Sequence, residues 1–311
     1  MEEGSGNKPK VIVIVGPTCS GKTNLAIEIA SKLKSEIISA DSRQFYKYLN
    51  IGTAKPTSEQ RELVKHHLID FLNPDDDYNV SSYSIDANKI IESIHKFDKI
   101  PVVVGGSGLY IKALIEGISE TANKNEEIRK DLLEKRKQHG NEYLFSELKK
   151  VDKISAESML PQNWKRVMRA LEVYYSTGKP IWQHHKESII KSKFDFRQFG
   201  LLWNREKLYK NIELRVDQMI EDGLVNEVEL IIKKGFNEDL NSLNTVGYKE
   251  IISFLKKEIS LERAIELIKR NTRRYAKRQM TWFNKDKRVE WINVNNESDF
   301  KMLANQMINK I

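Results

Sequence analysis

The chain has 311 residues with 52 Lys+Arg against 44 Asp+Glu, a formal net charge of +8. At roughly 100–200 residues per domain this is two domains or one domain carrying an insertion, and 40% hydrophobic residues exclude a disordered chain. No apolar run approaches the ~20 residues of a membrane span, MEEGSGNKPK is no signal peptide, and the single cysteine, Cys19, excludes an internal disulfide framework or a multi-cysteine zinc site; a soluble cytoplasmic protein is expected.

In chain order, Lys10–Val15 (KVIVIV) is a continuous β-branched run, the pattern of a strand buried on both faces. Gly16–Thr23 follows, and Asn24–Leu33 places Leu25, Ile29 and Leu33 at helical spacing. Glu36–Ala40 (EIISA) predicts a second strand ending at Asp41, and His67–Phe71 a third. Ile85, Ile90, Ile91 and Ile94 mark a helix over Tyr83–Phe97. Ile100–Val104 (IPVVV) is another fully buried strand, followed by Gly105, Gly106 and Gly108 and a helix from about Leu109. All-apolar strands alternating with helices predict a parallel α/β sheet.

From about Gly117 to Lys193 the strand signal stops. Glu126–Gln138, Glu142–Lys150, Val151–Met159 and Asn163–Ser176 are polar-rich helical stretches, punctuated by Gly140, Pro161 and Gly178. The sheet pattern resumes at Phe196–Trp203 (FRQFGLLW). Long helices are expected at Glu206–Asp222, Leu224–Lys234, Tyr248–Lys257 and Leu261–Phe283, then a last strand at Val289–Val294 and a short final helix. The expected organisation is a core over 1–117, an all-helical insertion over 118–194, and the rest of the core over 195–311.

Gly16-Pro17-Thr18-Cys19-Ser20-Gly21-Lys22-Thr23 fits G-x-x-x-x-G-K-[ST], with a buried strand leading in and a helix leading out. Gly16 and Gly21 let the backbone wrap so that successive N–H groups face a diphosphate at a helix N-terminus. Lys22 puts a point charge on the phosphate oxygens, and the Thr23 hydroxyl can ligate Mg²⁺. Cys19 fills a free position of the motif. The fold class is therefore a P-loop NTPase-like core with a parallel sheet, interrupted by the helical insertion.

Such a loop says that a di- or triphosphate binds, not what is transferred. Asp41 ends an apolar strand, where a kinase places a metal-bridging carboxylate. The segment that follows is unlike a kinase loop: Ser42, Arg43, Gln44, Phe45 and Tyr46 set amide, guanidinium and aromatic groups beside that carboxylate. This set suits holding and deprotonating a base better than holding a sugar phosphate.

GPTCSGKT (16–23), DSRQFYKYLNIGTAKP (41–56), HHLID (66–70), PVVVGGSGLYIKAL (101–114), RALEVYYSTGKP (169–180), RVDQMIEDGLVNEV (215–228), VGYKE (246–250) and TRRYAKRQMTWF (272–283) together resemble the tRNA dimethylallyltransferase, or tRNA isopentenyltransferase, family. The resemblance runs in order from about residue 10 to residue 292. It implies transfer of a dimethylallyl group from dimethylallyl diphosphate to the exocyclic N6 of the adenosine just 3′ of the anticodon, with release of diphosphate. Asp41 matches the family's general base, Arg215 a family arginine on the diphosphate, and Thr18 a threonine close to donor and acceptor. Ser42, Arg43 and Gln44 align with the segment that grips the flipped adenosine, and Ser107 falls where members usually have Thr. Arg129 resembles a family arginine near the tRNA, and Gln162, Asn163, Trp164, Lys165 and Arg166 fit a tRNA-contacting turn. Cys19 stands in place of a more usual Ala or Gly, and Asn50 in place of an acid. The chain stops soon after the last strand without the zinc finger of eukaryotic relatives, which points to a bacterial-type enzyme.

The distribution of charge agrees with an RNA partner. Residues 1–120 carry 14 basic and 16 acidic side chains, residues 121–193 carry 16 and 10, and residues 194–311 carry 22 and 18. The positive excess thus lies in the last two-thirds of the chain. Within Leu261–Phe283, Lys269, Arg270, Arg273, Arg274, Lys277 and Arg278 have no acidic residue between them, and Tyr275, Trp282 and Phe283 are interleaved. The cations are expected to face phosphates in part, with Trp282 and Phe283 packed inward. None of the six histidines has a catalytic reading; His66 and His67 alternate along a strand and cannot share a site. A monomer with Mg²⁺, tRNA and dimethylallyl diphosphate as its partners, and no membrane, is the reading to test. The competing readings are an adenylate isopentenyltransferase using free nucleotide, a P-loop kinase, and a non-catalytic RNA-binding ATPase.

Overall fold

A computed structural model describes residues 8–117, 125–187 and 192–311. Along the chain run β1 (Lys10–Val15), α1 (Lys22–Lys32), β2 (Ile37–Ser39), α2 (Ser58–Leu63), β3 (His66–His67), α3 (Val80–His95), β4 (Val102–Val104) and α4 (Gly108–Glu116). Then come α5 (Glu126–Val151), α6 (Lys153–Glu157), α7 (Trp164–Thr177) and α8 (Ile181–Glu187). The chain closes with β5 (Asp195–Trp203), α9 (Arg205–Glu221), α10 (Leu224–Lys233), α11 (Tyr248–Leu255), α12 (Leu261–Phe283), β6 (Val289–Val294) and α13 (Phe300–Ile308). Two units result: Met1–Ile115 with Lys193–Ile311, and Glu116–Ser192. The expected boundary residue 118 lies outside the described residues.

The first unit is one six-stranded sheet in the order β3-β2-β4-β1-β5-β6, with every pairing parallel. The central strand β1 shows why its sequence is apolar throughout. Val11, Val13 and Val15 point into a core built with α3, α4 and α10–α12, and Ile12 and Ile14 into a second core with α1 and α13. At the C-terminal edge, β1, β2 and β4 end side by side, in register Ile14↔Val104 and Ser39↔Val104. Gly105 is required there, because a Cβ on it would lie 2.2 Å from the Ala40 carbonyl oxygen. In an open parallel sheet this edge is where ligands bind.

Two elements differ from the sequence reading. The strand expected over His67–Phe71 stops at His67, since Leu68 (φ 57°) and Asp70 (φ 56°) turn left-handed. The backbone N–H groups of Asp70 and Phe71 donate to Gln44 O and Phe45 O instead (3.1 and 3.0 Å). The run is apolar because it packs on the loop after β2, not because it extends the sheet. The short helix α2 was not anticipated, although Thr57 and Gln60 form a reciprocal capping box at its start.

The loop at residues 50–52 is held by one carboxylate. Glu227 of α10 accepts the N–H groups of Asn50, Ile51 and Gly52 at 3.0, 2.8 and 3.2 Å, and the Tyr248 hydroxyl at 2.6 Å. Below it, buried Lys55 donates to Tyr46 O, Asn50 Oδ1 and Asp70, and Arg61 pairs with the other Asp70 oxygen.

In the second unit, α5 breaks at Gly140 (φ 85°) into the two stretches the sequence suggested, and α8 is an additional helix. Its core is Leu132, Leu144, Leu148, Val167, Met168 and Leu171 with small residues between. Glu172 is fully buried within it. Its carboxylate accepts from the Asn125 N–H and from Arg129 and Arg169, each at 2.8 Å. Among the described residues no helix is long and apolar enough to cross a membrane.

Glu227→Ala strands three backbone N–H groups and the Tyr248 hydroxyl, and should cost about 3 kcal/mol in urea unfolding, with Glu227→Gln milder. A cost under about 0.5 kcal/mol would mean that water takes over the carboxylate's role.

Candidate active site

The loop between β1 and α1 is shaped as its sequence requires. Gly21 sits left-handed (φ 79°) at the start of α1, and a Cβ there would come within 2.2 Å of the Phe300 ring. Cys19 is also left-handed (φ 61°). The Trp203 indole N–H donates to Ser20 O at 3.0 Å, tying the loop to the end of β5. Lys22 folds back so that its ammonium donates to Pro17 O at 2.5 Å. Burial pushes the Lys22 pKa down to about 8; Asp41 works against that shift and the Arg215 guanidinium adds to it.

These groups line one cavity of about 360 Å³, together with Thr23, Ser39, Gln44, Tyr275 and Gln279. A second cavity of about 330 Å³ shares Thr18, Cys19, Asp41, Thr53, Arg215 and Tyr275 with the first. Its remaining wall includes Ser42, Arg43 and Arg278, and apolar Val216, Met219, Val246 and Ile268. Arg215, from α9, reaches the loop with its guanidinium 3.6 Å from Cys19 Sγ. Both cavities carry basic side chains; the first is walled by the glycine-rich loop, the second adds an apolar face, and Asp41 stands in both.

The segment after β2 is tightly tied. The Arg43 N–H donates to Asp41 Oδ1 (2.9 Å), which fixes the carboxylate at the turn. The Ser42 N–H donates to Ser107 Oγ at 3.0 Å, and the Ser107 hydroxyl donates to Ser42 Oγ at 3.3 Å. Arg43 reaches away to Asn241 O at 2.6 Å. Gln44 donates to Thr53 O and Ala54 O and accepts from Ser39, so its amide is engaged with the protein's own loop.

The remaining expected RNA contacts sort differently. On α12, Arg273 and Lys269 are paired by Glu213 and Asp217 of α9 (2.9 and 2.6 Å), acids that lie more than fifty residues away in sequence. Arg274, Lys277 and Arg278 line an open groove with Thr281, Trp282 and Lys285. Phe283 is buried as expected, but Trp282 is 38% exposed, a correction. The helix turns these consecutive rings about 100° apart, so only one can face the core. In the second unit, Gln162, Asn163, Lys165 and Arg166 are exposed at the turn into α7, and Trp164 is covered by the Arg136 guanidinium at 3.8 Å. Arg129 is engaged with buried Glu172, a partner the sequence did not disclose. The sequence reading misses Gln279 at the cavity wall, since a polar residue of a basic helix reads as solvated; Tyr275, one of the interleaved aromatics, lines it too.

A glycine-rich loop between a doubly buried parallel strand and a helix, opening at the C-terminal edge of the sheet, defines an α/β protein of the P-loop class. Within that class, the family model described as IPP transferase matches residues 44–286. A "tRNA dimethylallyltransferase" of Acetivibrio thermocellus is 49% identical over 299 residues, covering 95% of both chains, and one of Pelotomaculum thermopropionicum is 44% identical over 300 residues, covering 96% of both. The crystal structure of the tRNA isopentenylpyrophosphate transferase of Bacillus halodurans superposes with a TM-score of 0.72 at 36% identity, covering 97% of each chain. A eukaryotic dimethylallyltransferase, described as acting on tRNA, superposes at 0.82 with 30% identity, covering 96% of this chain and 77% of that one. The chain belongs to the IPP transferase family.

Because the Lys22 pKa is held near 8, below its unfolded 10.5, the unfolded chain binds more protons between those values and ligand-free stability rises with pH across that window. A bound diphosphate favours the ammonium, so binding at pH 8 should take up about half a proton more than in Lys22→Met. Calorimetry in two buffers of different ionisation enthalpy reads this difference; equal uptake would show that Lys22 is already charged in the free protein.

Proposed function

We propose that this protein transfers a dimethylallyl group from dimethylallyl diphosphate to N6 of the adenosine 3′ of the anticodon in tRNA, releasing diphosphate. The observation that carries the reading is the position of Asp41, on a wall shared by the cavity of the glycine-rich loop and the part-apolar one beside it. A donor diphosphate on the loop and a flipped adenine beyond it would meet at that carboxylate. Relatives 44–49% identical over nearly the whole chain, named tRNA dimethylallyltransferase, support the same reaction.

The adenine amine is a weak nucleophile because its lone pair is delocalised into the ring. As N6 attacks the allylic carbon, the C–O bond breaks and its electron pair leaves with the diphosphate. Asp41 takes the N6 proton as the N–C bond forms. Lys22, the N–H groups of the loop and Arg215 stabilise the charge growing on the leaving group, and Thr18 lies between the two cavities.

The oxygen donors present suit Mg²⁺: Thr23 and Asp41 line the cavity, and among the described residues no three His, Cys, Asp or Glu gather as a cage. Magnesium characteristically binds through one or two protein oxygens plus substrate phosphates. Thr23 would hold it, and when bound it supplies charge neutralisation to the departing diphosphate.

For the RNA, the supporting surfaces are Ser42, Arg43 and Ser107 beside the second cavity, the Arg274, Lys277 and Arg278 groove, and, on the helical unit, Gln162 to Arg166. Gln44 and Arg129 act by holding their neighbours. Action as a monomer in the cytoplasm, where its tRNA substrate is found, completes the reading.

Incubation with dimethylallyl diphosphate and either undermodified tRNA or AMP, followed by mass analysis of nucleosides, tests the reaction. Prenylated adenosine in tRNA is expected; prenylated AMP alone, or ATP hydrolysis without prenyl transfer, overturns the reading. Asp41→Ala should abolish turnover with tRNA affinity within about twofold, since it removes a base and not a phosphate contact. Charge reversal at Arg274 and Lys277 should flatten the salt dependence of tRNA binding by about one counterion unit each, and at Arg273, already paired with Glu213, by less. An equal change at all three would remove the distinction between the groove and the α9-facing side of the helix.

A further inference from the structure

Gln279 is buried, 5% exposed, on a helix whose other faces carry arginines and lysines. Its side-chain oxygen accepts the Thr18 backbone N–H at 2.8 Å, and its amide nitrogen donates to Gly106 O at 3.0 Å. The orientation of the amide is settled by its partners, since only an oxygen can meet an N–H and only an NH₂ can meet a carbonyl. The fit leaves no slack: a Cβ on Gly106 would lie 2.1 Å from the Gln279 nitrogen. One side chain therefore joins three separate segments, the loop after β1, the loop after β4 and helix α12.

We propose that Gln279 is the positioning residue of the donor loop, holding Thr18 and the Gly106 turn in the one arrangement that presents a diphosphate to the acceptor. The bond withdraws the Thr18 N–H from the phosphate cradle and so sets which loop amides remain for the anion. It fixes the Thr18 backbone and thereby the Thr18 hydroxyl at the junction of the two cavities. Gln279 does not itself take part in bond making. It acts through the backbone of Thr18, where a displacement of about 1 Å is enough to cost a hundredfold in rate. This deepens the function proposed above and rests on the loop being the donor site.

The probe is inorganic diphosphate with Mg²⁺, whose binding needs no prenyl transfer. In Gln279→Leu, which keeps the volume and loses both polar atoms, diphosphate affinity is expected to fall about tenfold and single-turnover prenyl transfer ten- to a hundredfold. Affinity for tRNA should stay within about twofold, although the residue lies on the RNA-facing helix. Backbone amide exchange at Thr18 should accelerate in the variant. Gln279→Asn, with both groups on a shorter stem, is expected to fall between Gln279→Leu and the natural protein, and is read in the same way if Gln279→Leu does not fold. Diphosphate affinity and transfer rate within twofold of the natural protein would overturn the proposal, as would weakened tRNA binding with diphosphate affinity intact. A natural protein that binds diphosphate and prenylates nothing would overturn the proposed reaction, while the response of diphosphate binding to Gln279→Leu still decides the role of this side chain.

Discussion

A lysine ammonium taken out of water is the constraint around which this site is built. Burial holds Lys22 near a pKa of about 8, a penalty on the charged form of about 3 kcal/mol at 1.36 kcal/mol per unit. Among the described residues its hydrogen-bond acceptor is Pro17 O, and Arg215 adds a second positive charge. Asp41 offsets part of this, but with Lys22, Lys55 and Arg215 against one carboxylate the lining keeps a positive balance. An anion with several oxygens resolves the imbalance, as a diphosphate at a helix N-terminus does. On the proposed reaction, a site poised in this way would favour the leaving diphosphate over the ester it leaves, which is the direction catalysis needs.

Helix α12 then does different things on different faces. Inward it contributes Ala276, Gln279 and Phe283 to the core and the loop contact. Towards α9 its cations are neutralised by Glu213 and Asp217. Only the face of Arg274, Lys277 and Arg278, beside half-exposed Trp282, is left as an open basic groove. Seen as a string, the segment 269–278 is uniformly basic; folded, the helix has one open basic face, one for structure and one against the glycine-rich loop. The Glu227 carboxylate plays a comparable part for the loop at 50–52. It gathers the N–H groups of 50–52, and so holds the loop whose Thr53 and Ala54 carbonyls engage Gln44.

Patterns that depend on near neighbours were legible before the structure. β1, β6 and α12 fall on the boundaries their periodicity suggested, because a strand buried on both faces must be apolar and a long helix must repeat its apolar side. The phosphate loop was legible because its glycines are demanded by local backbone geometry. Failures came where a residue answers to something distant. The run after His67 looked like a strand, yet it turns twice to seat Asp70 on Lys55 and Arg61. Trp282 looked like core beside Phe283 yet is 38% exposed, and the buried partner of Arg129, Glu172, lies forty-three residues away where no local pattern points to it.

The amino-acid sequence by itself determined the class of fold, the glycine-rich loop after the first strand, the carboxylate after the second strand and the family to which these belong. Each is written in contiguous residues whose spacing obeys backbone sterics. Only the tertiary structure decided which cations pair with α9 and which line the groove beside Trp282, that Gln44 and Arg129 have partners within their own chain, and that Gln279 ties the loop to the basic helix. Those outcomes depend on pairings between groups brought together by packing, and a side chain's partner across such a contact leaves no local mark on the sequence.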